Sequence, residues 1–341
     1  MQDRDITLDV AKGLAIILVV IGHSFQYSFG PQYTASKLFF ADIPFKSIYS
    51  FHMPLFMLIS GYLFYNSNKK DFKSLILSKL KRIGIPFVTF TLLCNVTSYL
   101  SFLKKGEILN CLTSCLSQIF QGVTIWFLFA LLLNMLVVSI ITRVCKKKPV
   151  LYAVMFLLFI GSMFIPDTIV LDIHKSMFPF FCIGYIIKEN NVDIYKYSKN
   201  LPLLIIATIL SIGCIIWFNY DTYIYTTGYC IYDNYLQILT NFKRILIALV
   251  ISFTFMQYVH LLSQRKQCRL LVYFAQISLF IYGVNIFIDT MYSRLFLEMG
   301  WNFEYNYISP ILFTIGTIGV ACLLYKLVSK NRVTNLLFLG Q

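Results

Sequence analysis

The stretch Leu8 to Ser28, LDVAKGLAIILVVIGHSFQYS, is long enough to cross a bilayer as one helix, yet it carries Lys12 near one end and His23 near the other. A titratable imidazole in hydrocarbon is costly and therefore rare, and it usually serves a function. Lys12 and His23 are eleven residues apart, which is three helical turns plus about 20°. Both side chains therefore lie on one face of the helix, about 16 Å apart along its axis.

Composition places the chain among integral membrane proteins. Of its 341 residues, 58% are hydrophobic and only 13% are charged, with a mean hydropathy of +0.72, whereas soluble domains carry about 25% charged residues. The net charge of +14 does not indicate a nucleic-acid partner, because the basic residues lie between apolar segments and act there as topology determinants. We predict no cleavable signal peptide, because no small-residue cleavage site follows the first apolar run.

The nine cysteines are scattered and include no CxxC pair, so we expect neither a metal site nor a disulfide framework. Cys111 and Cys115 form a CxxxC pattern in a predicted outer loop, which leaves a single bridge open.

Ten apolar stretches are candidate membrane spans, and each is expected to be helical because lipid offers no partner for unpaired backbone groups. Two of them, 150–165 and 176–188, are shorter than the roughly 20 residues that a helix needs to cross the hydrocarbon core. We therefore predict an all-α polytopic membrane protein, with one domain over residues 1–341 and a bundle of about ten helices. The ten stretches are 8–28, 48–65, 83–103, 123–142, 150–165, 176–188, 201–219, 245–262, 270–292 and 306–328.

The lysines and arginines predict the orientation of these spans. With the N-terminus in the cytoplasm, 21 of the 29 basic residues fall on the inner side, as the positive-inside rule requires. An even number of spans then places both termini in the cytoplasm. This orientation puts Lys12 at the cytoplasmic end of the first span and His23 in its outer half.

A second histidine, His52, lies about one turn below the outer end of the second span, so it is expected at a depth similar to that of His23. Pro54 either occupies the first turn of that span or kinks it, which frees carbonyl groups for a cavity. Either histidine alone is compatible with a hydrogen-bonded interior residue, but two at matched depth favour a catalytic role, because neutral imidazole is the usual proton acceptor for activating a hydroxyl. We interpret His174, in a predicted outer loop, and His260, at an inner helix end, as structural.

The densest basic run is Lys69 to Arg82, KKDFKSLILSKLKR, which we predict to be an inner loop. The positive-inside rule and contact with lipid headgroups explain such a run. The alternative is a cytoplasmic anion site, in which the side chains hold phosphates. Lys79 and Arg82 are one turn apart and, with Lys12 across from them, could guide a polyanionic cosubstrate to the inner mouth of the bundle.

Four further residues are candidates for substrate contact or for structural roles. Trp126 opens the fourth span on the outer side, where the interfacial aromatic belt is the alternative explanation. Asn285 and Asp289 are four residues apart in the ninth span, so they share a face, and a polar pair within a span usually faces the bundle interior. Bonding between helices explains this pair as well as substrate contact does. Asp9, near the start of the first span, is the fourth candidate.

These motifs together resemble membrane acyltransferase family three, the bacterial O-antigen and exopolysaccharide O-acetyltransferases, with the fucose 4-O-acetyltransferase-like branch closest. The family's first span has a basic residue, ten residues and then His, matched by Lys12 and His23. Its second span is similar to His52 to Tyr62, HMPLFMLISGY. Weaker similarities are the basic-x-x-Arg motif before the third span at Lys79 and Arg82, the Trp motif at Trp126 to Leu128, and the segment Phe178 to Lys188, FPFFCIGYIIK.

Two positions depart from the family pattern. Many members have Glu shortly after the Trp motif, where this chain has apolar residues around Leu131. Many also have His late in a span, where this chain has Asn285 in IYGVN. An acid–base role at either position therefore does not transfer to this chain.

The resemblance implies an O-acyltransferase of the bacterial inner membrane. Its donor would be cytoplasmic acetyl-CoA, bound through its phosphates by Lys12, Lys79 and Arg82. Its acceptor would be a sugar hydroxyl of a cell-surface polysaccharide or of a lipid-linked precursor. His23 would be the catalytic base or a transient acyl carrier, and His52 would orient the acceptor or assist proton transfer.

A transporter or flippase for a glycan or lipid intermediate is the alternative from another functional class, because composition and topology suit both. The two histidine motifs argue against it, and no inverted repeat is detectable among the spans. Besides acyl-CoA and the acceptor, we expect membrane lipids as partners and no nucleic acid, and the sequence leaves the oligomeric state open.

Overall fold

The chain folds into helices, with no strand in the part that the computed structural model describes, residues 5–28, 37–167, 171–232, 234–264, 268–300 and 306–341. Arg4, Arg265 and Lys266, which the charge count places on the inner side, lie outside these residues. A π turn (Leu80–Gly84) and a 3-10 turn (Tyr220–Thr222) interrupt the α-helices. The helices are α1 (Ile6–Ser28), α2 (Lys37–Ala41), α3 (Ile43–Tyr49), α4 (His52–Asn68), α5 (Phe72–Lys79), α6 (Ile85–Cys94), α7 (Val96–Lys104), α8 (Ile108–Gln121), α9 (Trp126–Val144), α10 (Lys148–Ser162), α11 (Leu171–Glu189), α12 (Leu201–Trp217), α13 (Ile224–Thr227), α14 (Gln237–Ser263), α15 (Arg269–Gln276), α16 (Ser278–Glu298), α17 (Ile308–Val328) and α18 (Arg332–Leu339).

The all-α class is confirmed, and every predicted span contains helix. In the described residues, five helices are long and apolar enough to cross a membrane: α1, the combined α3–α4, α9, α14 and α17. The number rises to seven if two bent pairs each count as one span, and α10 and α12 are shorter apolar helices.

Two of the predicted spans are broken rather than continuous. The third is bent by 55° at Asn95, whose side-chain amide donates to Thr91 O and to Thr124 Oγ1. The ninth is bent by 76° at Ile277, between α15 and α16. There the hydroxyl of Ser278 donates to Ala275 O, toward which the backbone N–H of Ile277 also points.

The second span is interrupted between α3 and α4, close to the site that it carries. Pro54 lies in the first turn of α4 and has no N–H to continue the ladder of the preceding helix. The imidazole of His52 adds a hydrogen bond at this interruption, because its Nδ1 donates to Ile48 O near the end of α3 at 2.7 Å. His52 is thus held at the junction between α3 and α4.

The basic run Lys69 to Arg82 is mostly helical and not an irregular loop, and its position on the inner side stays a prediction. Asp71 begins α5 by accepting a hydrogen bond from Ser74 N at 3.1 Å. The helix then widens into the π turn at Leu80–Gly84, and Pro86 follows in the first turn of α6. Lys79 ends α5 and Arg82 lies inside the π turn.

Helices α4 and α11 pack unusually closely through two Gly-Tyr pairs. A Cβ at Gly61 of α4 would overlap Phe181 O of α11, and a Cβ at Gly184 of α11 would overlap Leu58 O of α4. Each glycine therefore receives the backbone of the opposite helix. This contact explains why the SGY and IGY segments recur in two distant parts of the chain.

Hydrogen bonds join the helix termini at each end of the bundle. At the end where α1 begins, the Asp5 carboxylate accepts from Tyr195 Oη at 2.9 Å, and Thr7 Oγ1 lies 2.8 Å from Ser263 Oγ. At the end where α1 finishes, Ser293 Oγ donates to Tyr27 O at 3.0 Å. His260 stacks on Tyr195 at the first of these ends, with ring centroids 4.5 Å apart.

Candidate active site

An inner cavity of about 170 Å³ lies between α1, α4, α9 and α16 and contains the predicted lysine in its wall. Lys12, Ile16 and Val19 of α1 line it, together with Ser60 of α4 and Tyr282 of α16. Lys12, Ile16, Val19 and His23 occupy one face of α1, because they are spaced four, three and four residues apart. The cavity therefore lies along the part of this face that begins at Lys12 and ends at Val19, and His23 is not among its lining residues.

The departure from the family pattern near Leu131 changes this wall. Leu131 lines the inner cavity, so the place where many relatives carry Glu is apolar in this chain. Phe127 lies one turn earlier on α9 and also lines the cavity, and its backbone N donates to Tyr282 Oη at 3.2 Å.

A second, outer cavity of about 80 Å³ contains His52 and Trp126 in its wall. Met53, which follows His52, lines both cavities. The two spaces therefore meet at this thioether side chain, with Lys12 on one side and His52 on the other.

His23 lies one turn beyond Val19 of the inner cavity and is held by α16. Its Nδ1 is 2.5 Å from Asn285 Oδ1. The amide of Asn285 is oriented by its own donors, because Nδ2 donates to Tyr282 O at 2.8 Å and to Ile281 O at 3.2 Å. The oxygen thus faces His23, so the neutral imidazole carries its proton on Nδ1 and its lone pair on Nε2.

His52 has the same tautomer, because Ile48 O can only accept a hydrogen bond from its Nδ1. Both imidazoles adjoin the last turn of α3. The ring of Tyr49 lies 4.9 Å from that of His52, and a Cβ at Gly22, the neighbour of His23, would come within 2.8 Å of the Tyr49 ring. The two histidines therefore lie at the same level of the bundle, as their predicted depths require.

Of the basic residues predicted to bind the donor, Lys12 lines the inner cavity, whereas Lys79 and Arg82 lie outside its lining. The ammonium of Lys79 is 5.6 Å from the ring centroid of Phe64. Phe64 and Lys79 are each four residues from a cavity-lining residue, Ser60 and Ile83 respectively, so this contact lies about 6 Å farther out. Arg82 is exposed at the same end, where Gly340, which terminates α18, packs against its backbone.

The remaining predicted residues separate into different environments. Asp289 is fully buried and accepts a hydrogen bond from Thr317 of α17 at 2.5 Å, which is a contact between helices. Asp9 lies outside the walls of both cavities. His174 lies in the first turns of α11, packed on Phe129, so its assignment to a loop was wrong.

The outer cavity also has a roof that the sequence did not indicate. The segment 218–232, which we call the roof segment, supplies Phe218, Thr222, Tyr223, Tyr225 and Tyr229 to the lining. It was missed because its residues act through their positions in three dimensions and form no motif.

Arg244 of α14 holds the roof segment in place with all five of its N–H donors. Nε donates to Thr222 O at 2.7 Å and Nη2 to Tyr223 O at 3.0 Å and to Thr227 Oγ1 at 2.5 Å. Nη1 donates to Gly228 O at 2.6 Å and to Asn241 Oδ1 at 2.8 Å. Because a guanidinium has five donors, its hydrogen-bonding capacity is fully used.

An ion pair between Lys175, which is buried, and Asp167, which is partly exposed, anchors the other side of the roof segment. Asp167 contacts Lys175 Nζ at 2.7 Å and accepts from the backbone N of Tyr229 at 2.6 Å and of Cys230 at 2.7 Å. Burial raises the pKa of the Asp167 carboxyl, but these three donors outweigh it and hold the pKa below its usual range. The carboxylate is therefore charged at neutral pH and keeps the segment attached.

In the described residues, no group of His, Cys, Asp and Glu side chains could hold a metal ion, and the nine cysteines are free. A bundle of apolar helices that holds two oriented imidazoles beside internal cavities has the organisation of a membrane enzyme.

Comparison with known proteins identifies the family. A family model described as an acyltransferase domain matches residues 5–326, nearly the whole chain. The chain belongs to this family, family three of the membrane acyltransferases, and it is an acyltransferase.

Two similar proteins are both called nodulation protein NolL. The one from Mesorhizobium japonicum is 28% identical over 291 residues, which cover 82% of this chain and 72% of that protein. The one from Sinorhizobium fredii is 27% identical over 237 residues, which cover 68% of this chain and 62% of that protein. No solved structure matches the chain.

Proposed function

We propose that this protein is an O-acetyltransferase of the bacterial inner membrane. In this proposal, it transfers an acetyl group from cytoplasmic acetyl-CoA to a sugar hydroxyl of a cell-surface polysaccharide or of its lipid-linked precursor. The observation that carries the proposal is the pair of cavities that meet at Met53, one containing Lys12 and the other His52. Two substrates entering from opposite ends would come together at that point.

The donor enters from the end where α1 begins. The phosphates of coenzyme A are anions, and Lys12, Lys79 and Arg82 place three cations at or just outside the inner cavity. Lysine ammonium and arginine guanidinium groups are the usual partners of phosphate. The acetyl thioester would then extend along the face of α1 toward His23.

His23 acts as the general base at the far end of this face. Its Nε2 lone pair takes the proton of the sugar hydroxyl while the hydroxyl oxygen forms a bond to the acetyl carbonyl carbon. The C–S bond then breaks, and the leaving coenzyme A thiolate takes the proton from the imidazolium. The products are the O-acetyl sugar and free coenzyme A. His52, in the wall of the outer cavity, orients the acceptor.

The proposed topology is about ten spans with both termini in the cytoplasm. Support comes from the ends of the bundle: the start of α1, the end of α14 and the loop containing Tyr195 meet at one end. This is the end to which the charge distribution assigns the cytoplasm.

The test uses the full-length protein in lipid nanodiscs with radiolabelled acetyl-CoA and a membrane glycolipid fraction. We expect His23→Ala to lower label transfer by about 10²-fold to 10⁴-fold, since that is what a general base contributes, with normal insertion into membranes. His260→Gln, which alters an imidazole at the distant end of the bundle, is the matched control and should retain transfer. Near-normal label transfer by His23→Ala would contradict the role of His23 as general base. Translocation of the glycolipid without any labelling would support a transporter instead.

A further inference from the structure

Arg244 and Asn241 both line the outer cavity, and the guanidinium of Arg244 is already fully used within the protein. Arg244 donates all five N–H groups to the roof segment and to Asn241. Asn241 donates through Nδ2 to Tyr229 O at 2.8 Å, and its Oδ1 accepts from Arg244 and from Gln237. These two side chains shape the cavity: Arg244 has no N–H donor left for a ligand, and Asn241, which is 1% exposed, uses its oxygen and one of its two amide N–H groups within the protein.

Arg244 is the single Lys, Arg, Asp or Glu residue among the described residues of this lining. A carboxylate or phosphate group that entered the cavity would lose its hydration and find no unused guanidinium or ammonium group there. Burial of an unpaired charge is strongly unfavourable. The wall therefore discriminates against an anionic ligand.

The wall is rich in aromatic rings, which suit a different ligand. Seven of the twenty lining residues are Phe, Tyr or Trp. Trp126 lies in the first turn of α9, and Tyr225 lies at the rim with 52% of its surface exposed. The C–H groups of a sugar ring carry a slight positive charge and pack on the negative face of an aromatic ring. The hydroxyl groups of the same sugar remain free to reach His52.

We propose that the outer cavity is the acceptor subsite and that it selects an uncharged pyranose, excluding sugars with a carboxylate or phosphate on the ring that is acetylated. Trp126 and Tyr225 bind the ring, and Arg244 is a positioning residue that holds the roof segment. This inference rests on the proposed function, because it specifies the sugar that such an enzyme accepts.

The test measures binding without any acyl donor. Trp217 and Trp301 are replaced by Phe in the full-length protein in nanodiscs, so that fluorescence reports on Trp126 alone. The probes are methyl D-fucoside, methyl D-galactoside and methyl D-galacturonide, which differ only at C6, and the pair methyl glucoside and methyl glucuronide.

We expect an uncharged member to quench the fluorescence at a concentration at least about tenfold lower than the matching uronide, since burial of an unpaired charge costs more than a factor of ten in affinity. Uronides that bind as well as or better than the neutral sugars in both series would overturn the proposal. If none of the glycosides quenches the fluorescence, the assignment of the outer cavity as the acceptor subsite is overturned.

Variants of the wall separate ring packing from charge recognition. Tyr225→Ala should weaken binding of the neutral sugar about fivefold, whereas Tyr225→Phe should retain it, because the ring makes the contact. Arg244→Gln should raise the KM for the acceptor several-fold and leave the KM for acetyl-CoA unchanged. If Arg244 instead bound an acidic sugar, Arg244→Gln would abolish a preference for uronides.

The outcomes also distinguish this inference from the proposed function. If the protein binds neutral sugars selectively but transfers no acetyl group, the sugar subsite is supported and acetyl-CoA is not the donor. If the protein transfers acetyl groups but prefers uronides, the proposed acetyltransferase function is supported and only the selectivity for neutral sugars is contradicted.

Discussion

The contact between His23 and Asn285 joins residues 262 positions apart and determines which nitrogen of the imidazole can act as a base. In a soluble site, water could supply the same hydrogen bond, but inside a helical bundle a protein group has to supply it. For His52 that group is the backbone carbonyl of Ile48, and for His23 it is the side-chain amide of Asn285. An amide does not titrate, so His23 has a partner whose orientation is independent of pH.

We predict that Asn285→Ala lowers kcat for acetyl transfer by on the order of 10²-fold, since a misoriented general base loses most of its contribution. The KM for acetyl-CoA should not change, because Asn285 lies beyond the inner cavity that the donor enters. Steady-state kinetics in nanodiscs checks both quantities. An increase in KM with unchanged kcat would place Asn285 in substrate binding instead.

Asp289, one turn farther along α16, is expected to behave differently. Asp289→Asn keeps an oxygen that can accept the hydrogen bond from Thr317, so we predict acetyl transfer within about threefold of the wild type. The same kinetic assay measures the rate of acetyl transfer, and the amount of protein inserted into the membrane is the control for folding. A large loss of transfer in a well-expressed protein would assign Asp289 a direct role in catalysis.

The sequence was sufficient to indicate that Asn285 and Asp289 share a face, because helical periodicity decides that. It could not indicate which of them meets His23. That choice depends on how α16 is placed beside α1, and the break at Ile277, which sets this placement, has no proline or glycine to signal it.

At the scale of the helices, α4 packs very closely against α11, and this contact supports the site directly. Gly61 and Gly184 bring the two backbones together. Helix α4 begins with His52, and α11 contributes Ile173, Ser176, Met177 and Phe180 to the same outer cavity. The width of that cavity thus depends on two glycines that lie outside its lining.

We predict that Gly61→Ala destabilises the protein by about 2 kcal/mol, because its Cβ would overlap a backbone carbonyl of α11 that cannot move alone. Thermal unfolding in detergent, followed by size-exclusion chromatography, measures the change. The control is Gly213→Ala on α12, where an added Cβ meets nothing within 4 Å. This variant should be stabilised by about 0.5–1 kcal/mol, as expected for Gly to Ala within a helix. Equal stability of the two variants would contradict the proposed backbone contact.

The sequence predicted the existence of the helices better than their continuity. Every apolar stretch predicted as a span contains helix, but five to seven helices of the described residues are long and apolar enough to cross a membrane. Pro54 signalled the interruption beside His52. The basic run Lys69 to Arg82 was predicted to be an inner loop. Asp71 is nevertheless a good N-cap, and the segment SLILSKL that follows has few helix breakers.

For the whole molecule, the distribution of basic residues and the pairing of helix ends give the same proposed orientation. A fluorescent protein fused after Gln341 should fluoresce, because it folds in the cytoplasm, and alkaline phosphatase inserted after Gly106 should be active, because it requires the periplasm. Phosphatase inserted after Asn191, in the loop before α12, is the matched insertion and should be inactive. The opposite pattern at Gln341 and Gly106 would invert the topology and, with it, the side from which the donor enters.

The meeting of the two cavities at Met53 has a consequence for the energetics of the cell. An open aqueous pore through a bacterial inner membrane would let protons through and dissipate the proton-motive force. Met53 is 7% exposed, and Phe56 and Phe127 beside it in the inner cavity are also buried, so apolar side chains lie where the proposed paths of the two substrates converge. Under the proposed function, an acetyl group passes this point by exchange of covalent bonds, while coenzyme A stays on one side, the sugar on the other, and the membrane remains sealed.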